Sequence, residues 1–329
     1  MTERWRQYWF APASPRPLAV CRILFFGALF LFYWPTDFAA WAHVSNVFLQ
    51  PIWLFTRLHL TAVPREWLAT MQVVWRAALV FSCVGLFTRA STLVAFTLGV
   101  YILGLPNNFG TEFHYDTLVL MTLGILAIAR SGDDWSLDRV LRAWRRDPGR
   151  IAPVEWSGEY TWPIKLVQVV MALIFFAAGV AKIRHGGLAW ITSNTMGIML
   201  VQQQYHVANA DPLTRLGLTI ATHPWLCSIL AASAMTFETM YPLALISTRA
   251  RAVIVPSVFL MQVGIRVVLG PTFGQYLICN LFWVPWDRVL RVSDARFKRP
   301  RESNAGVVSA GISEGLPVFS DAPPRSRAQ

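Results

Sequence analysis

Lys182 stands where an apolar stretch beginning near Trp162 ought to end, in the run Phe175-Phe176-Ala177-Ala178-Gly179-Val180-Ala181-Lys182-Ile183-Arg184-His185. An ionised amine is costly to hold at membrane depth, and desolvation favours the neutral form, which is a base. The bland alternative is a lysine near a span end that snorkels its ammonium to the headgroups. His114 opens a second apolar run, with Glu112 and Asp116 close by in sequence. These carboxylates either solvate the loop or raise the proton affinity of the imidazole. Three further charges, Arg76, Glu238 and Arg266, fall inside apolar runs. Ionic groups there seek partners, so Glu238 is expected to pair with Arg76 or Arg266. The same charges, with Asn108, are candidates for holding an oxygen-bearing or anionic ligand.

The scaffold that positions these residues is a membrane bundle. With 55% hydrophobic, 13% aromatic and only 14% charged residues in a chain of 329, there is too little polar surface for a soluble protein. Runs near span length predict about eight transmembrane helices, at roughly residues 17–35, 68–87, 90–106, 116–130, 162–183, 223–247, 252–269 and 271–285. The expected fold class is all-α, a polytopic helical bundle with additional interfacial helices on the outer side. Its domain limits are 17–290, preceded by a cytoplasmic segment over 1–16 and followed by a basic cytoplasmic tail over 291–329. That tail is rich in Ser, Pro, Gly, Glu and Arg and lacks the apolar content for a core. Residues 1–16 show no cleavable signal, so the first span is expected to remain as an anchor.

The net charge of +11 is not a nucleic-acid footprint, because the cations alternate between connections. Arg4, Arg6, Arg16, Arg89, Arg139, Arg142, Arg145, Arg146, Arg150, Arg249, Arg251 and the stretch from Arg288 to Arg301 fall on one side. Only Arg57, Arg65, Arg184 and Arg215 fall on the other. The positive-inside rule then puts both termini in the cytoplasm and Lys182 near the outer boundary, in what would be a bacterial inner membrane. Residues 45–60 and 188–205 are apolar but too interrupted to span, and read as interfacial or re-entrant outer helices that roof a cavity. Ala177, Ala178, Gly179 and Ala181 let another helix, or a flat ring, approach the backbone closely. Trp135-Ser136-Leu137-Asp138 reads as a helix start, with Asp138 in the first turn. Cys21, Cys83, Cys227 and Cys279 lie in apolar stretches and read as packing residues, with neither disulfide nor metal site implied. No internal repeat supports an inverted-repeat transporter.

The order Asn107-Asn108-Phe109-Gly110-Thr111-Glu112-Phe113-His114, Trp135-Ser136-Leu137-Asp138, Trp162-Pro163-Ile164-Lys165-Leu166, the Ala-Gly-x-x-Lys run and Trp190 resembles the horizontally transferred transmembrane domain family. That family includes the membrane part of vitamin K-dependent gamma-carboxylase, and the resemblance covers roughly residues 15–290. By this resemblance Lys182 is the base that deprotonates a vitamin K-like quinol, and His114 belongs to the same site. O2 and CO2 are the implied co-reactants of epoxidase or carboxylase-like chemistry. A lipid-soluble quinone and the bilayer are the implied partners. Excluding water protects a reactive oxygenated intermediate. Two departures are visible. Many relatives carry a histidine near the position of Gln262, where glutamine is neither acid nor base. The carboxylase also continues into a large lumenal domain, so processive carboxylation of a tethered protein is not expected here. A non-catalytic quinone-associated subunit similar to the DoxX family, and a transporter using Arg76, Glu238 and Arg266, are the alternatives.

Overall fold

The computed structural model describes residues 3–109, 114–146, 154–205, 213–270 and 273–290, and the tail expected over 291–329 lies outside them. Helix α1 (Glu3–Phe10) leads into α2 (Arg16–Tyr33), which has Pro17 in its first turn, where a missing N–H breaks no helical bond. Two 3-10 turns and the short α3 (Trp53–Arg57) precede α4 (Arg65–Val84). Gly85 ends α4 in the left-handed conformation, with φ at 71°, and α5 (Thr88–Gly104) begins almost at once. Next come α6 (Thr117–Ile128), α7 (Leu137–Arg146) and α8 (Trp162–Gly186). The short α9 (Ala189–Thr192), α10 (Thr195–Tyr205) and α11 (Leu216–Ala221) follow. The chain closes through α12 (Pro224–Met240), α13 (Leu243–Ile246), α14 (Thr248–Val268) and α15 (Gly274–Cys279). Among the described residues the only extended pairing is a bridge in which Ala13 and Ser157 exchange two backbone hydrogen bonds of 3.1 Å.

Five stretches are long and apolar enough to cross a membrane: Arg16–Tyr33, Arg65–Val84, Thr88–Asn108, Gly158–Gly186 and Thr248–Val268. Three expected spans take a different form, the one over 116–130 being the 12-residue α6 (Thr117–Ile128), about 18 Å long at 1.5 Å per residue. The stretch over 223–247 is broken after Met240, because Pro242 has no N–H to continue the helix, and resumes as α13. In the stretch over 271–285 the described residues form α15 and a 3-10 turn (Asn280–Trp283), together about 15 Å long at 1.5 Å per residue. It is enclosed by protein, so irregular backbone is tolerated at this depth. Gly274 packs on Phe32 of α2, where a Cβ would meet the ring at 2.2 Å. Gln168 Nε2 donates to the Phe282 carbonyl at 2.8 Å, and the Arg251 guanidinium lies 5.4 Å from the Trp283 ring centre. This segment therefore returns to the end of the bundle from which α14 departs.

That end is tied together by polar contacts between distant parts of the chain. Arg22, fully buried in α2, donates to the carbonyls of Ser131 at 2.7 Å and Trp135 at 2.6 Å. The Asp138 carboxylate accepts from the Phe87 amide and from the Thr88 amide and hydroxyl, each at 2.7 Å, and so caps α5 as well as starting α7. Burial works against its charge, but the Thr88 amide and hydroxyl, the Phe87 amide and Arg142 hold the carboxyl below the ordinary carboxylate range. Phe87 and Trp135 adopt positive φ of 47° and 45°, a strained state that these bonds stabilise. The main core fills the space among α2, α4, α5, α6 and α8, around Phe25, Trp75, Leu79 and Met171. A second, smaller cluster around Leu200, Cys227 and Leu269 joins α10, α12 and the end of α14. All four cysteines are free thiols.

Candidate functional site

Gly179 sets the geometry of the site. A Cβ there would meet the Thr239 amide nitrogen at 2.6 Å and the Thr239 hydroxyl at 2.5 Å, so only glycine lets α8 and α12 approach this closely. Lys182 follows one turn later on α8, and Glu238 directly precedes Thr239 on α12. As a result Lys182 Nζ donates to Glu238 Oε2 at 2.5 Å, with side chains 22% and 9% exposed. The pairing expected for Glu238 with Arg76 or Arg266 is thereby corrected. Glu238 lies about 20 Å along α12 from Pro224, at 1.5 Å per residue, so the pair is deep in the helical body. Helices α9 to α11 extend past it. Ser228 Oγ donates to the Ile191 carbonyl at 2.9 Å and pins α9 to α12, and Trp190 brings its ring centre to 5.7 Å from the Lys182 ammonium.

Beside the pair lies a cavity of about 750 Å³ between α8, α10, α11, α12 and α14. Its wall is mostly apolar, with Trp190, Met196, Met199, Phe237 and Met261 around the ion pair. Leu230 and Leu260, in the middle of α12 and α14, line it while remaining 41% and 66% exposed, so its mouth faces the apolar flank of the bundle. The buried indole N–H of Trp190 has no hydrogen-bond partner among the described residues. Of the two segments expected to form a roof, 188–205 contributes to this wall. The other, 45–60, packs elsewhere, with Phe55 against Gly104 of α5.

The remaining candidates are placed as follows. Arg76 donates to the carbonyls of Tyr33, Trp34 and Thr36 at 3.3, 2.9 and 2.6 Å, closing the C-terminal end of α2. Gln72 Oε1 accepts from the Phe38 amide at 2.6 Å in the same place. Arg266 donates to the Gly270 carbonyl at 3.0 Å in the last turn of α14. Asn108 is fully buried and clamps the loop that leads into α3, accepting from the Ile52 amide at 2.8 Å and donating to the Gly104 carbonyl at 2.9 Å. Neither Arg76 nor Asn108 lines the cavity; Arg76 Nη2 and the Asn108 amide are turned to backbone carbonyls instead. His114 begins a 3-10 turn ending at Asp116, but its side chain, like Glu112, lies outside the described residues. Tyr115 of that turn does line the cavity, and the Asp116 carboxylate accepts from Tyr33 and from Gln275, the latter at 2.9 Å. Gln262 is buried and accepts from Asn280 at 3.4 Å. Sequence reasoning passed over Arg22 and Tyr115; an arginine inside the first apolar run was a readable signal for the former.

The HTTM domain family matches this chain over residues 10–268. No curated protein and no solved structure matches it.

Proposed function

Because the chain belongs to the HTTM domain family, a membrane domain family related to vitamin K-dependent carboxylase, we propose that the Lys182–Glu238 cavity binds a lipid-soluble quinol and takes up the proton of its hydroxyl. The observation that carries this reading is a mutually neutralising ion pair at the edge of a large apolar cavity. A paired ammonium and carboxylate favour an uncharged ligand with a hydroxyl over an anionic one. A volume of about 750 Å³ is in the usual range for small-molecule sites, and aromatic side chains at Trp190, Tyr115 and Phe273 suit a flat ring. Entry between Leu230 and Leu260 would bring the ligand directly from lipid. A bound quinol supplies reducing equivalents toward O2, with CO2 the further reactant of a carboxylase-like outcome. The chain's own contribution is to orient the hydroxyl, move its proton and exclude water.

The test begins with mass spectrometry of lipid extracted from purified protein, followed by oxidation of a reduced naphthoquinone in nanodiscs. The wild type is expected to retain quinone and consume quinol, and Lys182→Met to lose turnover by about 100-fold or more. Retained quinone without turnover would identify a non-catalytic quinone-associated protein. Absence of both binding and turnover would end the quinol reading.

A further inference from the structure

By resemblance Lys182 is the base, but the geometry points to Glu238: we infer that Glu238 accepts the proton in this cavity and that Lys182, as an ammonium, stabilises the ligand oxygen that releases it. The inference rests on the reading of the cavity as a site for a hydroxyl-bearing, lipid-soluble ligand. Read as an ion pair, Lys182 Nζ lies 2.5 Å from Glu238 Oε2. An ammonium has three N–H donors and no lone pair, so it cannot take a proton, whereas a carboxylate accepts at both oxygens. Among the described residues Glu238 receives a single hydrogen bond, at Oε2, and its side chain lines the cavity. Oε1 is therefore the acceptor available to a ligand.

The step balances without any other reactant. The O–H bond of the ligand breaks, a new O–H bond forms on the Glu238 carboxylate, and the electron pair stays on the ligand oxygen. The Lys182 ammonium, freed from the carboxylate, then faces that oxygen. The cavity's net charge is the same before and after, which matters where the dielectric is low and a newly created charge would be poorly screened. A neutral Lys182 would require its proton to rest on Glu238 beforehand, and the two resting states differ in whether the carboxyl is protonated before the ligand binds.

Infrared difference spectroscopy reads that distinction. A short-chain 1,4-naphthohydroquinone is added without oxygen to protein in nanodiscs, and its binding is followed separately by quenching of tryptophan emission. The wild type should gain the C=O stretch of a protonated carboxyl on binding. Lys182→Arg, which keeps a permanent cation, should gain it too, and Glu238→Gln should bind the probe with no such gain. Probe binding by the wild type without a new carboxyl band would overturn the assignment. So would loss of the band in Lys182→Arg with its retention in Glu238→Gln. If Glu238→Gln does not fold, the wild type and Lys182→Arg still decide between the two resting states. Failure of the wild type to quench at all would reject the ligand reading itself, and the proton step with it.

Discussion

Glu238 and Lys182 are held apart from water, so each charge is tolerable only in the presence of the other. Removing one leaves the second without compensation in a site that solvates it poorly. Glu238→Gln is therefore expected to destabilise the bundle by roughly 3 kcal/mol, and the joint change Lys182→Met with Glu238→Leu to recover much of that loss. Thermal melting in detergent measures both, and an unchanged melting temperature in the single variant would mean that the carboxylate is solvated. Arg76 belongs to a different class of buried charge. Its guanidinium donates to three carbonyls where α2 stops, a stabilising role that needs no carboxylate.

At the scale of helices, the site depends on one crossing. The α8–α12 contact at Gly179 sets a side-chain-free backbone against the Thr239 backbone and hydroxyl, so an added methyl group has nowhere to go without separating the helices. Gly179→Val should cost about 1–3 kcal/mol and weaken quinone binding, because separation at Thr239 also draws Glu238 away from Lys182. Gly27→Ala on α2 is the control, since a Cβ there meets only Cys83 Sγ, at 3.3 Å, and Gly27 does not line the cavity. Equal melting and equal binding by the two variants would show that the crossing does not govern the site. Helix α12 itself ends at Met240, just before Pro242, and this break leaves Tyr241 to stack on Phe175 with ring centres 4.6 Å apart, closing the bundle below the ion pair.

Across the whole molecule, the basic connections gather at one end. The Ala13–Ser157 bridge, Arg22 on the 131–135 loop, Asp138 on α5, Lys165 over Tyr8 and Arg251 over Trp283 all join segments that the charge pattern assigns to the same side. Proposing that this end faces the cytoplasm, as the positive-inside rule implies, places residues 36–67 and 184–222 on the opposite side. Single cysteines introduced at positions 146 and 210 should then react with an impermeant reagent from opposite faces of the membrane. Reaction of both from the same face would overturn that orientation.

The membrane class, the helical fold, the family and the special position of Lys182 were legible in the residues, because apolar run length, cation alternation and local motifs are properties of sequence order. The small residues before Lys182 also announced a close helix approach, which Gly179 and Thr239 make. Which charge meets which was not legible: Glu238 is far from Lys182 in the chain, and the sequence pointed to Arg76 or Arg266 as its partner, whereas the crossing of α8 and α12 at Gly179 brings Lys182 to it. The broken spans were only partly visible, since Pro242 is readable but the shelter that permits a short, irregular α15 comes from α2, α6 and α8 around it. Tertiary structure alone decided that Asn108 and Arg76 satisfy backbone while Lys182 and Glu238 face a cavity, because a polar side chain's role depends on whether its nearest groups already complete its hydrogen bonds.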